Sequence, residues 1–119
     1  MESRRALEDD RYDRETIKAL AEAIGSADLL AMIRQFVTVS EADCSVIELA
    51  LLSVEEDEAR KAAHRIAGAA LSLGLREVAS SARKIEYGEC LKMQMLEELR
   101  IQLADVVKGL PLMLSSSEN

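Results

Sequence analysis

The sequence predicts an all-α fold: an antiparallel up-and-down four-helix bundle with a short additional N-terminal helix. Three observations lead there. Apolar residues recur at helical spacing along most of the chain, and no segment alternates with period two for more than a few residues. One proline (Pro111) and five glycines leave too little turn material for a sandwich or barrel of many short strands. The connections between the long periodic segments are short, which makes successive helices antiparallel neighbours.

The elements follow in order. Residues 1–11 are densely charged and aperiodic, which reads as a tail or linker. A short helix is expected from Arg14 to Ala23, with Ile17, Leu20 and Ala21 inward and Gly25 ending it. Ser26 or Asp28 starts a second helix through Leu29, Ile33, Phe36, Val37, Cys44, Ile47 and Leu51. Its seven-residue rhythm survives the polar patch at 38–43, so one continuous helix is favoured over two. Ser53 and Glu56 have the S-x-x-E form of a capping box, followed by acidic residues suited to a helix N-terminus. The third helix then runs to about Leu73 and stops at Gly74. A fourth spans Leu75–Tyr87, with Leu75, Val78, Ala82 and Ile85 inward. A fifth covers Leu91–Lys108 through Met95, Leu99, Leu103, Val106 and Val107. This divides the chain into a tail at 1–11, a helical bundle at 12–110 and a C-terminal tail at 111–119.

Composition excludes several functions. The chain has 119 residues, one domain's worth, and 49% of them are apolar, enough for a single core. A net charge of -7 with only Tyr12, Phe36 and Tyr87 as aromatics disfavours nucleic acid, which needs cationic grooves and stacking platforms. Cys44 and Cys90 are far apart and lack a CxxC or histidine cluster, so no metal site is expected and both read as free thiols. No apolar run is long enough to span a membrane, and the charged start is unlike a signal peptide. The expected setting is cytoplasmic, without direct membrane contact. The five methionines, Met32, Met93, Met95 and Met113 among them, read as core fillers.

The third helix departs from bundle logic. With Ile66 at the centre of its buried stripe and about 100° per residue, Ala59, Ala62, Ala63, Ala69, Ala70 and Leu73 fall within roughly 60°. His64, the chain's only histidine, lands roughly 160° away, facing water. Arg60 and Lys61 lie one turn before it, Ala67 and Gly68 one turn after, and Leu71 follows on the same outer face. A glycine inside a helix costs about 1 kcal/mol relative to alanine, so it has a packing or access reason. On the exposed face the core is not that reason. Helical side chains lean toward the N-terminus, so a larger residue at 68 would partly cover the imidazole.

Residues 63–74, Ala-His-Arg-Ile-Ala-Gly-Ala-Ala-Leu-Ser-Leu-Gly, resemble the signature of histidine-containing phosphotransfer (HPt) domains, roughly A-H-x-[IL]-K-G-[AS]-[AS]-x-x-[IL]-G. The resemblance extends over about residues 12–108. It implies that His64 takes a phosphoryl group on Nε2 from a receiver-domain phospho-aspartate and yields it to another receiver's aspartate. An imidazole with a pKa near its ordinary value of about 6.5 has a neutral nitrogen for this at cellular pH. The family usually has lysine where this chain has Ala67. Arg60, Lys61 and Arg65 are the substitutes for that charge, with Arg83 and Lys84 on the next helix as remoter candidates. Ala67, Gly68 and Leu71 are expected to provide access and partner docking.

The resemblance also implies partners: response-regulator receiver domains and a hybrid sensor kinase, with this chain free-standing or the cytoplasmic end of a membrane-bound kinase. No cofactor is expected in this chain, Mg²⁺ being supplied on the receiver. A monomer is expected, since a dimer could cover the face that receivers need. Two rival readings differ in class. A bundle with axial His and Met ligands to haem requires an inward histidine, whereas His64 faces out. A helical adaptor would dock a receiver or kinase domain without being phosphorylated.

Overall fold

The computed structural model describes residues 10–118, of which Met113 and the residues after Leu114 are placed in backbone only. Five helices occur there: α1 (Arg14–Ile24), α2 (Ser26–Leu52), α3 (Glu56–Ser72), α4 (Arg76–Tyr87) and α5 (Met93–Glu118). They form an all-helical bundle in which α2 packs on α1, α3 and α5, and α4 packs on α3 and α5. No helix among the described residues is long and apolar enough to cross a membrane.

Asp13 starts α1 as an N-cap: its carboxylate accepts from the Thr16 backbone N–H at 3.3 Å and the Thr16 hydroxyl at 2.8 Å. The residues just before it are tied down. Asp13 donates its N–H to the Gly74 carbonyl, Glu77 donates to the Arg11 carbonyl, and Tyr12 is buried. The expected tail at 1–11 lies outside the described residues except for Asp10 and Arg11, and Arg11 belongs to the bundle. Gly25, at φ +90°, is the only residue between α1 and α2.

α2 is one continuous helix, as its rhythm indicated, burying Leu29, Ile33, Phe36, Val37, Cys44 and Ile47. The expected capping box does not form. α2 runs through Leu52, so Ser53 becomes its C-cap, and Glu55, without a side-chain capping bond, becomes the N-cap of α3. The α2 terminus is a Schellman motif, with Glu55 N–H on the Ala50 carbonyl and Val54 left-handed at φ +59°. α3 ends in the same motif: Leu75 N–H reaches the Ala70 carbonyl, Gly74 N–H reaches Leu71, and Gly74 supplies φ +76° without a Cβ penalty.

α5 extends ten residues past the Lys108 expected from periodicity, through Pro111 to Glu118, so the segment read as a C-terminal tail is helical as far as it is described. A mid-helix proline costs about 3 kcal/mol. Leu110 and Leu114 continue the buried stripe of Leu96, Leu99 and Leu103, and burying each contributes about 2 kcal/mol, enough to carry the helix past the break. Among the methionines, Met93 and Met95 pack against the core, but Met32 is exposed.

Candidate functional site

His64 sits mid-way along α3 on its outer side, with 70% of its side chain exposed. Ala59, Ala62, Ala63, Ile66 and Ala70 of the same helix are buried, as the wheel indicated. The buried arc is nevertheless rotated. Ala67 is buried at 1% exposure, and Ala69, expected inward, is exposed. The cause is that α3 packs against both α2 and α4, and α4 covers the flank that holds Ala67. Ala67 therefore does not line the outer face assigned to it for docking. Gly68 and Leu71 do, and Leu71 is 46% exposed. A Cβ built on Gly68 would meet nothing within 4 Å, so this chain's own packing does not require the glycine.

The residue that sequence reasoning missed is Glu86. Its carboxylate Oε2 lies 2.5 Å from His64 Nδ1, although the two are 22 residues apart. Glu86 is on the last turn of α4, and its side chain is only 10% exposed. An ionised carboxylate can only accept hydrogen bonds, so in the neutral ring the contact places the proton on Nδ1 and leaves the lone pair on Nε2. Carboxylate partners fix histidine orientation and tautomer in this way at many sites. The other oxygen, Oε1, is buried without a hydrogen-bond partner among the described residues, and Arg83 compensates its charge from 3.9 Å. A sequence signal for Glu86 existed: α3 and α4 are joined by the tight turn at Gly74, so residues flanking that turn at matched separations face each other.

The three cations named from sequence have distinct surroundings. Arg60, with 27% of its side chain exposed, donates to the carbonyls of Glu86 (2.8 Å) and Ile85 (3.3 Å) and pairs with Glu56 at 3.4 Å. It is committed to the end of α4 and is not available as the free phosphate support expected of it. Lys61 is exposed and pairs loosely with Glu58 at 3.6 Å. Arg65 crosses to α2, where its Nη2 and Nε reach Asp43 Oδ1 at 2.8 and 3.3 Å. That hydrogen bond, with the Asp43 charge, holds the guanidinium further into its protonated state. Arg83 reaches the site through Glu86, while Lys84 turns away to Glu98 on α5 at 3.7 Å. His64, Glu86, Arg60, Lys61, Arg65 and Tyr87 line one shallow, open depression.

The site thus presents one imidazole nitrogen to solvent, its ring held from behind by a carboxylate, beside a bare stretch of helix and two exposed cations. This is an imidazole on an open surface. The depression around it is shallow and open to solvent. Comparison with known families agrees: the family model described as the Hpt domain matches residues 31–116, a span that contains α3, α4 and both His64 and Glu86. No curated protein and no solved structure gave a match. An exposed histidine on a helical hairpin, within a family match over most of the chain, establishes that the protein belongs to the Hpt domains, the phosphotransfer carriers of two-component phosphorelays.

Proposed function

We propose that His64 is the phosphoryl acceptor, taking the group from the phospho-aspartate of one receiver domain and passing it to the aspartate of another. The single observation that carries this reading is the Glu86–His64 contact on an exposed helix face, which leaves Nε2 as the free nitrogen. In the forward step the Nε2 lone pair attacks phosphorus, the bond from phosphorus to the aspartyl oxygen breaks, and the aspartate leaves with its electron pair. Nδ1 keeps its proton, so the ring gains positive charge, which the Glu86 carboxylate offsets. Transfer to the second receiver reverses these changes. Because the phosphorylated ring is cationic, it remains a good leaving group, as a relay intermediate needs.

Phosphoryl transfer depends mainly on positioning and charge stabilisation. In this reading the receiver supplies its own acidic pocket and Mg²⁺, and this chain contributes Lys61 and Arg65 at the rim. Lys61 sits in an exposed ion pair, worth about 0–1 kcal/mol, so a phosphoryl group can draw it away at little cost, whereas Arg65 is held by two hydrogen bonds to the half-buried Asp43. Gly68 gives the receiver room and Leu71 an apolar contact. Val39 and Val46, exposed one turn either side of Asp43, extend that apolar contact onto α2. The supporting bundle is read as four antiparallel helices, α2–α5, with α1 a short addition.

The test is incubation with a phosphorylated receiver. Acid-labile label on the native chain and none on His64→Gln, with helicity unchanged, is the expected result. Equal labelling of both refutes His64 as acceptor. Complex formation without any label favours an adaptor that only docks.

A further inference from the structure

We infer that Arg60 is a positioning residue: it grips the backbone of Glu86 so that the Glu86 carboxylate stays on His64 Nδ1 and the ring presents Nε2. The inference rests on the proposed role of His64 and goes beyond it by naming what sets the reactive tautomer.

Every helix end leaves its last carbonyls without intrahelical donors. The ends of α2 and α3 recruit backbone N–H groups through left-handed residues, Val54 and Gly74. α4 does not: Gly88, its C-cap, is extended at φ -64° and ψ 145°. Arg60 supplies donors in its place, with Nη1 on the carbonyls of Glu86 (2.8 Å) and Ile85 (3.3 Å). Glu56, one turn earlier on α3, holds the other guanidinium nitrogen at 3.4 Å.

The result is a closed circuit. Arg60 and His64 stand one turn apart on α3, and both grip the same residue of α4, one by its backbone and the other by its side chain. Glu86 Oε1 has no hydrogen-bond partner among the described residues and only a 3.9 Å ion pair with Arg83, so the backbone grip adds to a carboxylate otherwise held loosely on that side. The planar fork of arginine lets Nη1 serve both carbonyls while Nη2 stays anchored on Glu56, whereas lysine offers a single nitrogen.

His64 is the only histidine, so its ring signals in a ¹⁵N-labelled chain identify themselves. A long-range ¹H–¹⁵N spectrum reports which ring nitrogen carries the proton. The expected result is a dominant Nδ1–H form in the native chain that becomes the minor form in Arg60→Ala, with Arg60→Lys between them. Phosphorylation of His64 by phosphoramidate, a small donor, should slow about tenfold in Arg60→Ala, the low end of what losing an orienting partner costs a histidine. In a Glu86→Ala background, Arg60→Ala should change the tautomer no further, since the two act through one contact.

The inference is overturned if folded Arg60→Ala keeps the Nδ1–H form, or if its effect is equally large without Glu86. Should Arg60→Ala lose helicity, Arg60→Lys decides: an intermediate tautomer shift supports the role and an unchanged tautomer overturns it. The tautomer measurement needs no phosphoryl donor. A chain that shifts tautomer as described but never takes label from a receiver would sink the relay reading while leaving this one standing.

Discussion

Replacing Gly68 by alanine separates what the bundle needs from what a visitor needs. The added Cβ would enter open space, with no atom of the chain within 4 Å, so no clash opposes it. Alanine in place of a mid-helix glycine gains about 1 kcal/mol in helix propensity. Unfolding entropy is about 2.1 cal/mol/K per residue, which over 119 residues turns that gain into a Tm increase of about 4 °C. Circular dichroism melts of the two chains measure it. A longer replacement, Gly68→Gln, keeps most of the propensity gain but leans over His64 toward the helix N-terminus. Its transfer from a phosphorylated receiver should fall at least tenfold, because displacing reacting groups by about 1 Å can cost two orders of magnitude. The reasoning fails if Gly68→Ala lowers Tm, which would make the glycine a packing requirement. It also fails if Gly68→Gln transfers as fast as the native chain.

Two further outcomes follow from the packing. Gly74→Ala should destabilise by roughly 2–3 kcal/mol, combining left-handed strain with overpacking. Its Cβ would sit 2.9 Å from Ile17 Cγ1 and 3.0 Å from the Asp13 carbonyl oxygen, and a urea titration would show the lowered midpoint. Burial pushes the Cys44 thiol up to about 11 from its ordinary 9.0. The folded chain therefore keeps that proton when the unfolded chain has lost it. Stability from this group is full below pH 9 and is lost as pH rises toward 11. Thiol titration at neutral pH should modify the exposed Cys90 promptly and Cys44 only on unfolding; equal rates would contradict the buried position.

How much of this was legible in the sequence varies with the range of the interaction. Periodicity placed the five helices and kept α2 whole through its polar patch, because a seven-residue rhythm is local information. The same arithmetic put His64 outward. It misplaced Ala67 and Ala69 because a wheel centred on Ile66 assumes one core direction, while α3 is flanked on two sides. The buried arc is consequently turned by roughly 30° toward α4. Ser53 matched a capping box in spelling, yet α2 runs on to Leu52 and takes Ser53 as its C-cap. The stop at Lys108 underestimated how Leu110 and Leu114, on either side of Pro111, prolong α5. Glu86 was missed because nothing near it in sequence marks it, and only its matched separation from His64 across the Gly74 turn pointed to it. It matters only after the Gly74 turn folds α4 back along α3. The same holds for Arg60, whose guanidinium looked available for phosphate until the open end of α4 claimed it.

The most direct test is to locate the phosphoryl group itself. After exposure of a ¹⁵N-labelled chain to a phosphorylated receiver, the ring nitrogen resonances of His64 and the ³¹P spectrum together identify the bonded atom. Phosphorus on Nε2, with the proton still on Nδ1, is the expected result. Phosphorus on Nδ1, or label on any other side chain, would contradict it.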